Sequence, residues 1–318
     1  MTGSNRSDRR PGRASLRQRL AAFLFATLAL ATVGLVLMAM ALATPAPRTQ
    51  QAAVPPPSYE VPTGIAPTGA AAPETIGIPS RVLLALNDSG AWRGSVGGCP
   101  ASPAALEFTI DSGATWTPSL AAPKLGVASV LAMNRGPQGS TEVVAQPAGG
   151  CVPQLFSATA RSDRWQVLGG VEKQWYIVPG GGGSINTPAG VRGTPCPVVV
   201  GVRARTDGGV GVLCSDQRFF RSRDSAATWD TGLFVPGARS IDQNATSYLV
   251  AAAKQPDCTG VQIVVVYPQP APRDRAVLAC HKSGADTQQV VISSAGTALW
   301  LWAGAELVVT TDRGVTWR

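Results

Sequence analysis

Thr109-Ile110-Asp111-Ser112-Gly113-Ala114-Thr115-Trp116 returns, with its spacing intact, as Ser222-Arg223-Asp224-Ser225-Ala226-Ala227-Thr228-Trp229 and as Thr310-Thr311-Asp312-Arg313-Gly314-Val315-Thr316-Trp317. An apolar or aromatic run precedes each copy: Leu106 to Phe108, Phe219 and Phe220, Leu307 to Val309. Each copy therefore reads as the turn of a hairpin, leaving one strand and entering the next. A short Asp carboxylate accepts hydrogen bonds from N–H groups just ahead of it and closes a tight turn, and the Gly two positions later tolerates positive φ. The Trp supplies a large apolar face to pack over the hairpin, and the Thr before it favours the strand backbone. Ala226 stands where the other copies have Gly113 and Gly314. At positive φ it costs about 1 kcal/mol, so a slightly altered turn is expected there.

On these residues the chain resembles the Asp-box (BNR) repeat proteins: sialidases, sortilin-type receptors and photosystem-assembly propellers. The resemblance implies a β-propeller with the boxes on the outer edge of its blades, away from any catalytic centre. Asp111, Asp224 and Asp312, with Gly113, Gly314, Trp116, Trp229 and Trp317, are thus expected to be structural. Three isolated carboxylates, one per repeat, make no metal-ligand cluster, and neither metal nor cofactor is expected.

The first quarter of the 318 residues is not part of that domain. Six arginines against Asp8 in residues 1–19 carry five of the eight net positive charges, and the remainder is nearly neutral. That excess does not indicate nucleic acid, because 24 uncharged residues follow it, Leu20 to Ala43, long enough to cross a bilayer as a helix with the arginines on the cytoplasmic side. A cleaved signal peptide has an apolar core of about 7 to 15 residues. Ala41-Leu42-Ala43 fits a cleavage site, but the length favours an uncleaved signal anchor. Either way, everything after residue 44 lies outside the cytoplasm. Residues 44–73, dominated by Pro, Ala and Thr, read as an unfolded spacer, and 74–318 as the extracytoplasmic propeller.

All six cysteines lie beyond the apolar stretch, as expected of disulfides in an oxidising compartment. Cys258 and Cys280 flank two β-rich runs joined by Pro268-Gln269-Pro270-Ala271-Pro272, so hairpin pairing brings them together. Cys196 and Cys214 are a second candidate pair across Thr206-Asp207-Gly208-Gly209, although register counting leaves them out of opposition. Cys99 and Cys151 pair by elimination. Zinc is a poor reading: there is no C-x-x-C and His281 is the single histidine.

Short β-type runs separated by Gly, Pro, Asn and Asp begin near Ile76. Grouped around the boxes they give about five units: 81–122, 126–170, 172–236, 246–295 and 296–318. The second has a damaged box, Arg161-Ser162-Asp163-Arg164-Trp165, the fourth has none, and the glycine run Gly180 to Gly183 leaves the number open between about four and six. A β-sandwich fits the strand spacing equally well but leaves the recurring box unexplained. Little sequence follows the last box, so Thr75 to Pro79 are expected to complete the final blade.

The catalytic inventory is thin. His281 sits next to Cys280, and the glycine run lacks the Lys-Ser or Lys-Thr of a phosphate loop. Trp300 and Trp302 share one face of a strand, either as a sugar-stacking platform or buried between blades. A glycosidase is the enzyme alternative; the Arg-Ile-Pro sialidase motif is missing, Arg81 after Ile78-Pro79-Ser80 is a loose echo, and Glu107, Glu142, Glu172 and Glu306 are the only glutamates within the blades. Many Arg and few Lys, with abundant Ala, Gly and Pro, suggest a bacterium of high genomic GC content. The expectation is a plasma-membrane-tethered propeller that binds an envelope protein or glycan.

Overall fold

The computed structural model describes residues 74–119, 124–159, 164–180, 183–270 and 274–318. The basic tail, the apolar stretch and the spacer fall outside them, as does Asp163 of the damaged box. Among the described residues no helix is long and apolar enough to cross a membrane.

The strands form six antiparallel sheets, each a meander from an inner to an outer strand. Blade 1 is β1 (Arg81–Ala85), β2 (Ala91–Ser95), β3 (Ala105–Thr109) and β4 (Thr117–Pro118). Blade 2 is β5 (Val127–Arg135), β6 (Thr141–Pro147), β7 (Gln154–Ala158) and β8 (Trp165–Leu168). Blade 3 has three short strands, β9 (Tyr176–Ile177), β10 (Ser184–Thr187) and β11 (Gly190–Gly193). Blade 4 is β12 (Val199–Ala204), β13 (Val210–Cys214), β14 (Arg218–Ser222) and β15 (Leu233–Phe234), and blade 5 is β16 (Ala238–Gln243), β17 (Tyr248–Gln255), β18 (Cys258–Val266) and β19 (Arg275–Lys282). Blade 6 is β20 (Val290–Ala295), β21 (Ala298–Ala303) and β22 (Glu306–Thr310).

Six apolar clusters fill the six gaps between neighbouring blades, and this makes the sheets a ring. Leu84, Trp92 and Leu106 meet Val130, Val143 and Phe156 between blades 1 and 2. Val144 and Leu155 meet Tyr176 in the next gap, and Ile185 meets Val199, Val212 and Phe220 in the third. Leu213 and Phe219 face Ile241, Tyr248 and Val250 between blades 4 and 5; Leu249 and Ile263 face Ile292 and Leu301 between 5 and 6. Trp300 and Val309 close the circle against Leu83 and Ala91. Middle strands are buried on both sides and so read as unbroken apolar runs, as in Val210–Cys214, whose five residues are all buried.

The fold is therefore an all-β propeller of six blades, one more than the five expected. The expected unit 172–236 divides into blades 3 and 4, and the later units were out of phase: β16 opens blade 5 before residue 246, and β20 belongs to blade 6. The expectation for Thr75 to Pro79 is also corrected. Ile76 is buried in the gap between blades 4 and 5, and its N–H donates to Ser215 O at 2.8 Å. Blade 6 instead begins its own fourth strand, with Arg318 and Val309 exchanging both main-chain hydrogen bonds at 2.9 and 3.1 Å. The ring closes by side-chain packing rather than by strand exchange.

Candidate functional site

The turn after β3, the turn after β14 and the turn after β22 repeat one pattern of hydrogen bonds to the Asp carboxylate. In the first, Asp111 Oδ1 accepts from Thr109 Oγ1 at 2.7 Å and from the Thr115 N–H at 2.9 Å, while Thr115 Oγ1 donates to Oδ2 at 2.5 Å. Asp224 repeats this with Ser222 and Thr228 at 2.8, 2.9 and 2.6 Å, and Asp312 with Thr310 and Thr316 at 2.7, 2.9 and 2.6 Å. Donation by the Thr115 hydroxyl, with the backbone N–H behind it, pulls the Asp111 carboxyl down to about 2; the Thr228 hydroxyl does the same for Asp224, also to about 2, and the hydroxyls of Thr310 and Thr316 depress Asp312 further.

Ala226 does not alter its turn. It takes φ 68° where Gly113 and Gly314 take 87°, and its N–H still bonds the Ser222 hydroxyl at 2.9 Å. Its methyl is 2% exposed among Val210, Val212 and Phe220, so burial offsets the backbone strain.

All three disulfides form as expected from the sequence: Cys99–Cys151, Cys196–Cys214 and Cys258–Cys280. The first joins the β2–β3 connection of blade 1 to the β6–β7 connection of blade 2. In the second, the ladder sets Val199 opposite Cys214, and Cys196 reaches it from three residues before β12.

His281 is buried against Trp317, ring centroids 5.0 Å apart, with Nε2 3.2 Å from Glu306 Oε1. Ser283 donates to the other carboxylate oxygen of Glu306 and lowers its pKa most strongly. Serine and histidine thus both face the same carboxylate, which is not the serine-to-histidine contact that nucleophilic catalysis needs.

Trp300 has no exposed surface, and its indole N–H donates to Asn87 O at 2.8 Å across the gap between blades 6 and 1. Trp302 is partly buried under two guanidiniums: Arg81 lies 4.4 Å and Arg93 5.5 Å from its ring centroid, and Arg93 also covers Trp116 at 4.1 Å. The pair lies in the seam between blades 6 and 1, Trp300 fully buried and Trp302 partly so.

Two further polar assemblies had no signal in the sequence. Where the inner strands converge, Asp242 receives Arg203 Nε at 2.8 Å and the Ser294 N–H at 2.5 Å, and Arg135 donates to Ser294 O at 2.6 Å and Ala85 O at 3.0 Å. Inner strands of five blades are thereby tied together. Beside Arg135 a pocket of about 160 Å³ opens, lined by Leu86, Asn87, Ile110 and Arg135 among others. The second assembly holds residues 74–76. Glu74 Oε2 accepts from Arg239 NH2 at 3.0 Å and from Lys254 Nζ at 3.0 Å, and Glu74 O accepts from the Gln217 amide. These hydrogen bonds hold the Glu74 carboxyl below its ordinary range, Lys254 contributing most. Burying Ile76 contributes about 1.5–3 kcal/mol, against about 1–2 kcal/mol of backbone entropy for each ordered residue. Ile76 alone does not offset the ordering of three residues, so the polar contacts of Glu74 and the Ile76 N–H supply the remainder. Among the described residues no group of three His, Cys, Asp or Glu is placed to hold a metal.

No family model matches this chain. No curated protein matches it either. Among solved structures it is similar to YCF48 from Cyanidioschyzon merolae, at 14% identity over 77% of this chain and 86% of that one, with a TM-score of 0.38. It is also similar to BamB from Moraxella catarrhalis (11% identity, 72% and 70% covered, TM-score 0.33) and to the WD40 β-propeller domain of Doa1 (10% identity, 72% and 81% covered, TM-score 0.35). At these identities the likeness is one of fold.

Proposed function

We propose that this chain is a membrane-tethered extracytoplasmic propeller of the Asp-box type that works by binding, as an assembly factor, receptor or scaffold of a bacterial cell envelope. The observation that carries the reading is where its acidic groups are spent. Asp111, Asp224 and Asp312 each hold their own turn, Asp242 ties inner strands together, and Glu306 is shared by Ser283 and His281. None is paired with a second carboxylate across a cleft, the arrangement most glycosidases use. The three disulfides support an oxidising location, and the arginine-flanked apolar stretch supports a tether with the N-terminus inside. Cross-linking in intact cells followed by capture of the chain tests this. One envelope protein or glycan is expected to be recovered in constant proportion; release of sugar from envelope glycans by the purified chain would instead establish the glycosidase.

A further inference from the structure

The residues just before β1 leave the ring in an unusual place. Glu74 and Ile76 are seated at the gap between blades 4 and 5, whereas β1 belongs to blade 1, so residues 77–80 bridge from that gap to the start of blade 1. At the far end Ser80 is held by Gln289, its hydroxyl 3.0 Å from Oε1, and Arg81 by Gly304 O. Between the two anchorages the chain touches little: Ile78 is exposed, and a side chain added at Gly77 would meet no atom within 4 Å.

The seat meets the segment with charged, polar and apolar groups in turn. The Arg239 side chain is 2% exposed and its Nε–H has no partner; NH1 turns back to Ala238 O, and NH2 points at the carboxylate. Lys254 brings a second charge to the same carboxylate, at 3.1 and 3.0 Å. Gln217, with its other amide end fixed by the Gly237 N–H at 2.6 Å, aims Nε2 at a peptide carbonyl. Ser215 O takes a peptide N–H, and two residues beyond the carboxylate an aliphatic hole is lined by Val200, Leu213, Phe219, Val235 and Ala238. The whole arrangement reads an extended peptide as acid, any residue, aliphatic.

We propose that this groove is a recognition site for an extended acidic segment of a partner protein, kept shut in cis by the chain's own Glu74-Thr75-Ile76. A buried guanidinium left without its carboxylate is costly, so the groove favours whichever acidic segment is at hand. The tethered copy has the advantage of proximity, and a partner must displace it. Release of this strap, residues 74–80, and binding of the partner are then one event.

This identity for the groove rests on the reading of the chain as a binding propeller, and two measurements on the full chain in detergent micelles test it separately from partner capture. The first is hydrogen exchange: the Ile76 amide is expected to exchange at least 100-fold faster than the Val250 amide, through local opening. Exchange of both at one rate would make the strap a fixed part of the fold and overturn the proposal. The second uses a labelled peptide, Pro-Glu-Thr-Ile-Gly-Ile-Pro, copied from residues 73–79. It is expected to bind the Glu74→Gln, Ile76→Asp double variant at least tenfold more tightly than the unaltered chain, and to lose that affinity when its own Glu is replaced by Gln. Equal binding to both chains, or to neither, overturns the proposal; should the variant not fold, the exchange measurement on the unaltered chain decides. A partner captured from cells with the strap still closed would leave the binding function standing and place it elsewhere.

Discussion

Asp111, Asp224 and Asp312 show how one residue can fix a turn and also set its pH dependence. A carboxyl whose folded value is depressed stabilises the fold above its unfolded value, near 3.8, and loses that contribution as pH falls towards the folded value of about 2. The thermal midpoint should therefore fall between pH 4 and 2, and Asp111→Asn or Asp224→Asn should flatten that decline; an unchanged profile would count against the turn bonds. Glycines in equivalent turns should not respond alike. A Cβ at Gly113 would come to 3.3 Å from the flexible end of Leu307, whereas at Gly314 it would meet the Ala279 Cβ at 2.2 Å. Gly113→Ala should cost about 1 kcal/mol. Gly314→Ala should cost about 1–3 kcal/mol more, as overpacking does, and urea denaturation of the two variants measures the difference.

The strands show what the sequence made legible and what it hid. Boxes announced β3, β14 and β22 because a turn needs particular atoms at particular offsets, and the Cys258–Cys280 pairing followed from the same hairpin logic. Blade 3 was hidden: β9 is two residues long, β10 and β11 four each, and the glycine run beside them carries no periodicity. The inner strand β16 escaped because Arg239, Ser240 and Asp242 are buried polar residues; Asp242 is met by Arg203 and Ser294 of the neighbouring blades and Arg239 by Glu74, partners that no local pattern reveals. Ring closure shares that long-range character, resting on Trp300 against blade 1. Trp300→Ala should lower stability by about 3–5 kcal/mol, through the cavity and through the orphaned Asn87 carbonyl, whereas Val191→Ala on the exposed strand β11 should shift the urea midpoint by less than about 0.5 kcal/mol.

At the level of the molecule, topology and tether length are separable. Protease added to intact spheroplasts should digest the domain after residue 80 and spare an N-terminal tag, since the arginine excess precedes the apolar stretch; protection of the C-terminal domain until the membrane is opened would invert that arrangement. Deleting residues 48–68 should leave the thermal midpoint of the blades unchanged, because the contacts that close the ring lie entirely within residues 74–318.

One rivet changes how such a ring would come apart. Cys99 and Cys151 join blades 1 and 2 on either side of Lys124, an exposed residue in the connection between those blades. Trypsin cutting after Lys124 would sever the backbone and free nothing. The leading fragment would stay covalently attached through the disulfide and would stay seated through the Trp300 seam, so damage at this position becomes visible only once a reductant is added. A ring riveted in this way can thus be nicked and still hold its shape.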